Sequence, residues 1–369
     1  MEIVVACGFG VETATKLELK KLNIDARCIN GRFTFSGSAE TVVKCNLCLR
    51  TADRVYIKLA EFEADSFDAL FDGVYACDWL ALIPHDAQII VDAKSKDSKL
   101  FALSAVQSIA KKAIVKKMQN KYSTLSETAD AVRVEIGILS DKVTVLVDTS
   151  GDGLHKRGYR DMVYEAPIRE TLAAAMLIYS GWDRERALFD AFCGSGTIPI
   201  EAAMIAKNIA PGLFRNFAFE NLLVFDKNIA QRVKTELEGA IDNDFKPRIT
   251  GFDVNKRAIG LCVRHASRAK LADCIHFETA DMRTFSSRFK YGVIVTNPPY
   301  GERLSDAEEL KTLCRDFRQM YRSLPDWSAC VISAYEGFER YFGTADKTRK
   351  TFNAALPCRI FSYFQKAGK

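Results

Sequence analysis

The sequence predicts an α/β protein, in which an N-terminal α+β half precedes an open, mostly parallel sheet that ends in an antiparallel strand. Segments with strand periodicity alternate with segments of helical periodicity along the chain, which is typical of such folds. A glycine-rich turn joins a strand to a helix near residue 195, and later strands end in aspartates. Ligands of open α/β sheets bind beyond the carboxyl ends of the strands, so a site is expected there.

The N-terminal half alternates strands with helices. Strands are predicted at 3–7, 32–35, 54–61, 88–94, 131–139 and 143–148, and helices at 11–22 and 39–49. Leu100, Leu103, Val106, Ile109 and Ala113 recur at helical spacing and predict a further helix with a solvent face. The length of 369 residues and the 48% hydrophobic content allow two or three domains with sizeable cores.

A turn-rich break at 149–153 leads into the second half. A helix is predicted from Pro167 to Tyr179, because proline suits the first helical turn. Residues 208–226 form an insertion, followed by a helix at 227–241. Aromatic residues beside Arg215 in this insertion could contact RNA or pack it against the domain. The last elements are a strand pair, 351–356 and 359–364, joined at Pro357-Cys358.

The glycine turn favours one class of cofactor. A strand ending near Asp190 precedes Gly194-Ser195-Gly196, and a helix follows from Thr197. Glycines let the backbone approach a ligand closely, and a helix N-terminus adds a positive field. No Gly-Lys-Ser/Thr follows, and Pro199 occupies the third glycine position of a dinucleotide fingerprint. The turn therefore suits the methionine end of S-adenosylmethionine better than a phosphate.

Two further strand ends extend this predicted pocket. Asp253 ends the strand that begins near residue 249 and could accept both ribose hydroxyls. Asp281 and Met282 follow the next strand and would meet the adenine amine and ring. An isolated aspartate at a strand end is commonly a helix cap. Here several strand ends occur along the chain in the order expected for a cofactor pocket, which favours the pocket interpretation. Asp253 lies 57 residues beyond Gly196, against about 20 in a compact nucleotide fold, which requires the insertion.

The tetrapeptide Asn297-Pro298-Pro299-Tyr300 follows an apolar run and predicts the acceptor site. An exocyclic amine conjugated to a ring is a poor nucleophile, so its hydrogens must be accepted and its lone pair oriented. The Asn297 side-chain oxygen and the Pro298 carbonyl are two such acceptors. The prolines Pro298 and Pro299 hold the loop rigid, and Tyr300 offers a stacking face. The other interpretation is an ordinary turn at a strand end.

These segments together resemble the class I S-adenosylmethionine-dependent methyltransferases with an N-terminal THUMP domain, and specifically the guanine-N2 methyltransferases of large-subunit ribosomal RNA. The resemblance covers essentially the whole chain and is carried by 46–55 (NLCLRTADRV), 154–160 (LHKRGYR), 166–170 (APIRE), the glycine turn and 297–300. Relatives usually have a proline where this sequence has Ala191, a change that leaves the Gly-Ser-Gly turn intact.

The resemblance implies a ferredoxin-like α+β region at 1–62, a THUMP RNA-binding domain at 63–155 and a class I Rossmann-like methyltransferase domain at 156–369. It implies methyl transfer to the N2 amine of a guanine in 23S rRNA, on a base flipped from its stem. The predicted cofactor contacts are Asp190, Phe192, Cys193, Gly194, Ser195, Gly196, Thr197, Asp253, Val254, Asn255, Asp281, Met282 and Asn297. The alternatives are a tRNA guanine, an adenine or cytosine amine, a protein glutamine amide, or a noncatalytic role in RNA binding or ribosome assembly.

The basic residues predict contacts with RNA. The net charge is +5, but the stretch from Lys94 to Lys121 alone has eight lysines against Asp97. A lysine-rich helix face commonly serves only solubility, whereas in a region that resembles THUMP it predicts phosphate contacts. The residues 155–160 could contact phosphate or equally cap the junction with the catalytic domain. The predicted RNA-binding residues are Lys111, Lys112, Lys116, Lys117, His155, Lys156, Arg157 and Arg160.

Composition predicts a cytoplasmic protein. The first residues begin a strand rather than a signal peptide, and no apolar stretch reaches membrane-spanning length. Eleven scattered cysteines are expected to be reduced thiols. Cys45 and Cys48 lack zinc-ligand partners at suitable spacing, so no metal is expected.

Overall fold

A computed structural model of the chain describes residues 1–162, 167–299 and 307–365. Its strands, in chain order, are β1 (Glu2–Cys7), β2 (Arg27–Ile29), β3 (Arg32–Ser36), β4 (Ala52–Glu63), β5 (Ala87–Lys96), β6 (Ala129–Leu139), β7 (Lys142–Asp148), β8 (Leu188–Asp190), β9 (Ile249–Asp253), β10 (Ile275–Thr279), β11 (Val293–Thr296), β12 (Ser328–Ser333), β13 (Lys347–Asn353) and β14 (Leu356–Tyr363). Its helices are α1 (Glu12–Lys21), α2 (Ala39–Cys48), α3 (Phe67–Ala76), α4 (Leu103–Gln119), α5 (Glu170–Tyr179), α6 (Thr197–Ala206), α7 (Lys227–Gly239), α8 (Lys256–Arg268), α9 (Ala307–Arg322) and α10 (Phe338–Phe342).

The chain divides into two compact units that are not contiguous in sequence. The first unit comprises Met1–Ala6, Leu19–Leu154 and Arg215–Glu236. The second comprises Cys7–Glu18, His155–Phe214 and Leu237–Lys369. Each unit therefore contains at least one segment that lies far from the rest of it along the chain.

The first unit is built on a mixed sheet with the strand order β2-β3-β1-β4-β7-β6-β5. Neighbouring strands are antiparallel at β1–β3, β4–β7 and β6–β7, whereas β5 and β6 are parallel. The predicted strands and helices of this half are confirmed, and the helix α3 and the strand β2 are additional.

Helix α4 carries the basic stretch, and its buried face differs from the predicted one. Its buried residues are Val106, Ala110, Ala113, Ile114 and Met118. The prediction that Leu103 faces the core is wrong, since its side chain is 42% exposed. The i, i+4 pairs Ala110–Ile114 and Ile114–Met118 continue the stripe beyond the predicted window, so the helix keeps an apolar face and a basic one.

The part of the insertion that begins at Arg215 belongs to the first unit. Phe217 and Phe219 are buried, and their rings stack with centroids 5.4 Å apart. The Arg215 guanidinium lies 4.8 Å from the centre of the Phe217 ring and donates to the carbonyls of Ser150, Asp152 and Gly153. Of the two interpretations of this segment, the structure therefore supports packing.

The second unit contains the predicted open sheet, with the strand order β10-β9-β8-β11-β12-β14-β13. The strands from β10 to β12 are parallel to their neighbours, and β14 is antiparallel to β12. The prediction of a mostly parallel sheet with a terminal antiparallel strand is confirmed. All the carboxyl ends of the parallel strands thus meet at one edge.

Two predicted boundaries in this unit are wrong. Helix α5 begins at Glu170 rather than at Pro167. The final hairpin turns at Ala354, with a positive φ of 54°, and Pro357 and Cys358 lie inside β14. Proline lacks a backbone donor, yet strand pairing tolerates it at a position near a turn.

Residues 7–18 complete the core of the second unit. Val11 and Ala14 belong to the same hydrophobic cluster as helices α5 and α6. The Tyr179 hydroxyl donates to the Gly10 carbonyl at 2.9 Å, and the Thr351 hydroxyl donates to the Phe9 carbonyl at 2.9 Å. Across the described ranges, no helix combines the length and apolarity needed to cross a bilayer.

Candidate active site

A cavity of about 800 Å³ opens at the carboxyl edge of the parallel strands in the second unit. Residues that follow β8, β9, β10 and β11 line it, as expected for an open α/β sheet. The predicted cofactor residues Asp190, Phe192, Cys193, Gly194, Ser195, Thr197, Asp253, Val254, Asn255, Asp281, Met282 and Asn297 all line this cavity. The structure therefore brings together strand ends that lie more than a hundred residues apart in sequence.

The glycine turn after β8 has the backbone that only glycines adopt without strain. Gly194 and Gly196 have φ values of +53° and +83°. The Cys193 N–H donates to the Phe252 carbonyl, and the Gly196 N–H donates back to the Cys193 carbonyl, both at 2.8 Å. Gly196 is the N-cap of α6 and does not itself line the cavity. The turn is thus fixed before any ligand arrives.

Helix α8 supports this turn from behind. The Cys262 thiol lies 3.1 Å from the Gly194 carbonyl, and the His265 Nδ1 lies 3.1 Å from the Ser195 carbonyl. A Cβ atom at Gly196 would be 3.2 Å from the Cys262 Sγ, which is tighter than ordinary packing. Glycine at position 196 therefore permits both the left-handed backbone and the close approach of α8.

Asp190 ends β8 and is buried, with 1% of its surface exposed. The Thr296 hydroxyl donates to its Oδ1 at 2.6 Å, and the Phe192 N–H lies 3.3 Å from the same oxygen. Burial raises the pKa of Asp190 to about 7, because the ionised carboxylate loses its hydration. The carboxyl group can therefore change charge near neutral pH.

Asp253 ends β9 and connects the turn to the next loop. Its Oδ2 accepts from the Gly194 N–H at 3.0 Å and its Oδ1 accepts from the Asn255 N–H at 2.8 Å. Each carboxylate oxygen retains a further acceptor position for a ligand hydroxyl. Val254 is 71% exposed and lines the cavity, whereas the Asn255 side chain caps α8. This arrangement suits a ribose at Asp253 and an apolar ring face at Val254.

Asp281 and Met282 lie at the edge beyond β10. Met282 is buried, so its side chain forms a floor of the cavity. Both oxygens of Asp281 accept hydrogen bonds from Arg283, which lowers the pKa of Asp281. Asp281 also accepts from the Arg283 N–H and thereby caps a short turn. Asp281 therefore both caps this short turn and lines the cavity with its carboxylate.

The charged lining of the cavity is predominantly acidic. Its charged residues are Asp190, Asp253, Asp281, Glu308, Glu309 and Asp316 against Arg283. Such a lining attracts a cationic ligand such as a sulfonium and disfavours a phosphate. The residues present therefore fit S-adenosylmethionine. Sequence reasoning missed the contribution of α9, because Glu308, Thr312 and Asp316 carry no motif and lie on a helix that follows the acceptor loop.

Asn297 is the first residue after β11. Its side-chain oxygen is buried and has no hydrogen-bond partner among the described residues, a rare condition for a buried acceptor. Pro299 lines the cavity with it, whereas Pro298 is buried without lining it. Tyr300, predicted as the stacking residue, lies outside the described residues. The oxygen of Asn297 is thus available to a ligand donor.

The lysines of α4 lie beside aromatic rings within the first unit. The ammonium of Lys116 is 5.8 Å from the centre of the Phe71 ring, and that of Lys117 is 5.1 Å from that of Tyr75. The two rings stack on α3 with centroids 6.0 Å apart. Lys112 is exposed, whereas Lys111 pairs with Glu127 at 3.0 Å. Charge and aromatic surface therefore occur together there.

The segment 155–160 is only partly buried, and its burial corrects one prediction, that for Arg157. Arg157 is 2% exposed, and its guanidinium pairs with the fully buried Glu201 at 3.2 Å. An RNA phosphate cannot reach a guanidinium in that position, so the structure contradicts RNA binding by Arg157. Arg160 is half-buried, and one of its guanidinium nitrogens donates to the Thr197 hydroxyl. Another of its guanidinium nitrogens lies 3.4 Å from a carboxylate oxygen of Glu170. His155 is half-buried and Lys156 is exposed.

Three family models match the chain in succession. A model described as the RlmL ferredoxin-like domain matches residues 2–56, and a THUMP domain model matches 64–148. A model described as the RMKL-like methyltransferase domain matches 157–360, more than half of the chain.

Two curated relatives illustrate the range of chain lengths. YpsC from Bacillus subtilis, a proposed RNA methyltransferase, is 36% identical over 99% of this chain and 96% of its own length. The Ribosomal RNA large subunit methyltransferase K/L from Methylococcus capsulatus is 34% identical over 89% of this chain. The aligned part is 46% of that protein, so the chain spans about half the length of the K/L relatives it matches.

Two solved structures have nearly the same fold. SMU.472, a proposed methyltransferase crystallised in complex with SAH, has a TM-score of 0.94 and 38% identity, covering 100% of this chain and 99% of its own. A Listeria monocytogenes protein described as a predicted N6-adenine-specific DNA methylase has a TM-score of 0.94 and 39% identity, covering 99% and 96%. SAH is the product that S-adenosylmethionine leaves after methyl transfer.

Proposed function

Because this chain belongs to the family of RMKL-like S-adenosylmethionine-dependent methyltransferases that carry ferredoxin-like and THUMP domains, we propose that it methylates the exocyclic N2 amine of a guanine in large-subunit ribosomal RNA. The bound cofactor supplies the methyl group as an electrophilic carbon on a sulfonium. The protein's own residues bind the cofactor and orient the amine.

The observation that carries the amine assignment is the buried side-chain oxygen of Asn297, which has no hydrogen-bond partner among the described residues. A buried acceptor left unsatisfied costs about 1–3 kcal/mol. An amine hydrogen of the substrate removes that cost when it binds. Pro298 restricts the backbone of Asn297 to extended conformations, so the acceptor is held in place.

The remaining residues act by positioning. Asn297 and the Pro298 carbonyl take the two amine hydrogens as acceptors, which aligns the nitrogen lone pair with the methyl carbon. The amine is neutral, and the sulfonium loses its charge on transfer, so the surplus proton of the methylated amine can leave to water. A strong general base is therefore not required.

The choice of acceptor rests on relatives and on charge. A guanine N2 amine, an adenine N6 amine and a cytosine N4 amine could all meet the same two acceptors. The name of the K/L relative gives large-subunit ribosomal RNA as its substrate. The name of YpsC gives only RNA. Lysines beside aromatic rings on α3 and α4 support RNA as the partner, because nucleotides present both phosphate charge and a stacking face. We assign the activity to the cytoplasm, where ribosomal RNA is processed.

Nucleoside mass spectrometry tests the proposal. Large-subunit rRNA, small-subunit rRNA and tRNA are fractionated from the parent strain, a deletion strain, and deletion strains that express the wild-type chain or Asn297→Ala. We expect N2-methylguanosine to fall in the large-subunit fraction alone, with restoration by the wild type and none by the variant. The purified enzyme should also restore the nucleoside to protein-poor RNA from the deletion strain.

The other outcomes are equally specific. Loss of N2-methylguanosine only from tRNA would replace the ribosomal substrate with a transfer RNA. Loss of N6-methyladenosine from RNA or DNA would overturn the guanine assignment while leaving the amine chemistry intact. If the Asn297→Ala variant restored N2-methylguanosine in the deletion strain, Asn297 would not be required for methyl transfer to the amine.

A further inference from the structure

Two cysteine thiols lie in contact behind the glycine turn. The Sγ atoms of Cys193 and Cys262 are 3.8 Å apart, although the residues are separated by 69 positions. Cys193 is in the turn after β8 and is 6% exposed, and Cys262 is on α8 and is fully buried. Cys193 is also one of the residues that line the cofactor cavity. Neither thiol takes part in methyl transfer.

We propose that Cys193 and Cys262 are a modification site, at which a reversible disulfide weakens cofactor binding. A disulfide has an S–S length of about 2.05 Å, so the two sulfur atoms need to approach by roughly 1.8 Å. Side-chain rotation and a small shift of the turn can supply that movement. In a reducing compartment such a bond is transient and regulatory rather than structural. The inference is independent of which base the enzyme methylates.

Formation of the bond changes the contacts between the turn and α8. The two pack closely, because a Cβ atom at Gly196 would lie 3.3 Å from the Cys262 Cα. Oxidation removes the thiol hydrogen that Cys262 offers to the Gly194 carbonyl at 3.1 Å. It also draws the Cys193 side chain towards α8, and the Cys193 backbone closes the turn.

The displacement reaches the cofactor contacts directly. The Gly194 N–H holds Asp253 at 3.0 Å, and Asp253 is the carboxylate that suits the ribose. A shift of the turn would change the length of that hydrogen bond, and it would also move the positively polarised N-terminus of α6, which begins directly after the turn. Weaker binding of the cofactor follows, because a ligand gains affinity from groups fixed in place before it arrives.

The chemistry is a two-electron oxidation. The two thiols lose two protons and two electrons to form the S–S bond, and a diazene oxidant takes up both as the corresponding hydrazine. A dithiol reverses the reaction by exchange. The contact with Cys262 and burial both raise the pKa of the Cys193 thiol, which favours the protonated thiol over the thiolate.

The test uses the full chain, reduced and then treated with the diazene diamide. Peptide mapping without reduction should find the peptide of Cys193 joined to that of Cys262. Calorimetry with S-adenosylhomocysteine should show affinity lowered by roughly tenfold or more, and dithiothreitol should restore it. S-adenosylhomocysteine bound beforehand should slow the cross-link.

Two serine variants provide the controls, each compared with its own reduced form. Cys262→Ser keeps a hydroxyl donor for Gly194 and should show no loss of affinity after diamide. Cys314→Ser removes a thiol of the same 6% exposure and should still respond as the wild type does. The proposal is overturned if the Cys193–Cys262 peptide does not form in the wild type, or if it forms and the affinity is unchanged.

Discussion

The Thr296 hydroxyl donates to the buried carboxyl group of Asp190 across 2.6 Å, which joins the last residue of β11 to the last residue of β8. The same hydroxyl accepts from the Phe192 N–H at 3.2 Å, next to the glycine turn. Asn297 follows Thr296 directly. One threonine therefore links the backbone beside the glycine turn to the loop that begins at Asn297.

Thr296→Val should destabilise the protein and weaken the cofactor complex. The methyl group fills the same volume, but Asp190 loses its hydroxyl donor in a buried position, which costs about 1–3 kcal/mol of unfolding free energy. Urea denaturation and calorimetry with S-adenosylmethionine measure the two effects. Thr296→Ser keeps the hydroxyl and should restore most of both, and equal losses in the two variants would contradict a role for this hydrogen bond.

Binding of S-adenosylmethionine should strengthen as pH rises through the pKa of Asp190. Burial, with a smaller contribution from the charge of Asp253, raises that pKa to about 7. A cationic sulfonium favours the ionised carboxylate, so at lower pH the cofactor must displace a proton before it binds well.

S-adenosylhomocysteine lacks the sulfonium charge and should show a smaller pH dependence between about pH 6 and pH 8. Calorimetry in buffers of different ionisation enthalpy also detects the released proton. Identical pH profiles for the two ligands would contradict this assignment.

Asn297→Ala should separate binding from chemistry. Its side-chain oxygen has no described partner, so its loss should leave cofactor affinity nearly unchanged while methyl transfer falls by roughly a hundredfold or more. Asp253→Ala should instead weaken cofactor binding, because it removes the carboxylate that anchors the turn. Calorimetry and single-turnover assays distinguish the two variants. An Asn297 variant that lost affinity and kept turnover would refute the acceptor role.

Arg157→Met should cost stability rather than RNA affinity. It leaves Glu201 buried at 0% exposure without the guanidinium, and removal of one member of a buried pair costs about 3–5 kcal/mol. The double variant Arg157→Met, Glu201→Met should recover much of that loss, since no buried charge remains. Thermal unfolding of the three proteins gives the comparison. If the single variant instead reduced only the salt dependence of RNA binding, Arg157 would be a phosphate contact after all.

Neutralising Lys111, Lys112, Lys116 and Lys117 with glutamine should weaken RNA binding and flatten its dependence on salt. Each lost phosphate contact lowers the slope by about 0.7 to 0.9. The matched control changes four exposed lysines outside α4, Lys16, Lys20, Lys21 and Lys290, and so removes the same charge. Filter binding across a salt series measures both slopes. Equal changes in the two proteins would assign the α4 lysines to solubility, and cofactor affinity should stay constant in each.

Local sequence signals account for much of the fold and the cofactor site. The strand ends at Asp190, Asp253 and Asn297 were predictable, because a strand, its polar end and the following turn are adjacent in sequence. The Gly194–Gly196 turn was predictable for the same reason. The connection rules of open α/β folds then restrict the possible orders of the strands in the second sheet.

Several residues that were missed or misassigned have partners that lie far away in sequence. Arg157 reads as basic and exposed because nothing beside it reveals Glu201, 44 positions later. Thr296 reads as the end of an apolar run, although its hydroxyl serves a residue 106 positions earlier. The residues of α9 lack a motif and reach the cavity only through the packing of the second unit. A single sequence carries no direct signal for such pairs.

The bond from the Thr351 hydroxyl to the Phe9 carbonyl spans 342 positions. During synthesis the loop at Phe9 and Gly10 is therefore complete long before the hairpin strand that will hold it exists. Contacts of such high sequence separation form slowly, because a long loop must close first. Nascent chains should thus pass through a stage in which residues 7–18 are synthesised but not yet packed against the second unit. At that stage Val11 and Ala14 should be exposed and accessible to chaperones that bind short apolar segments.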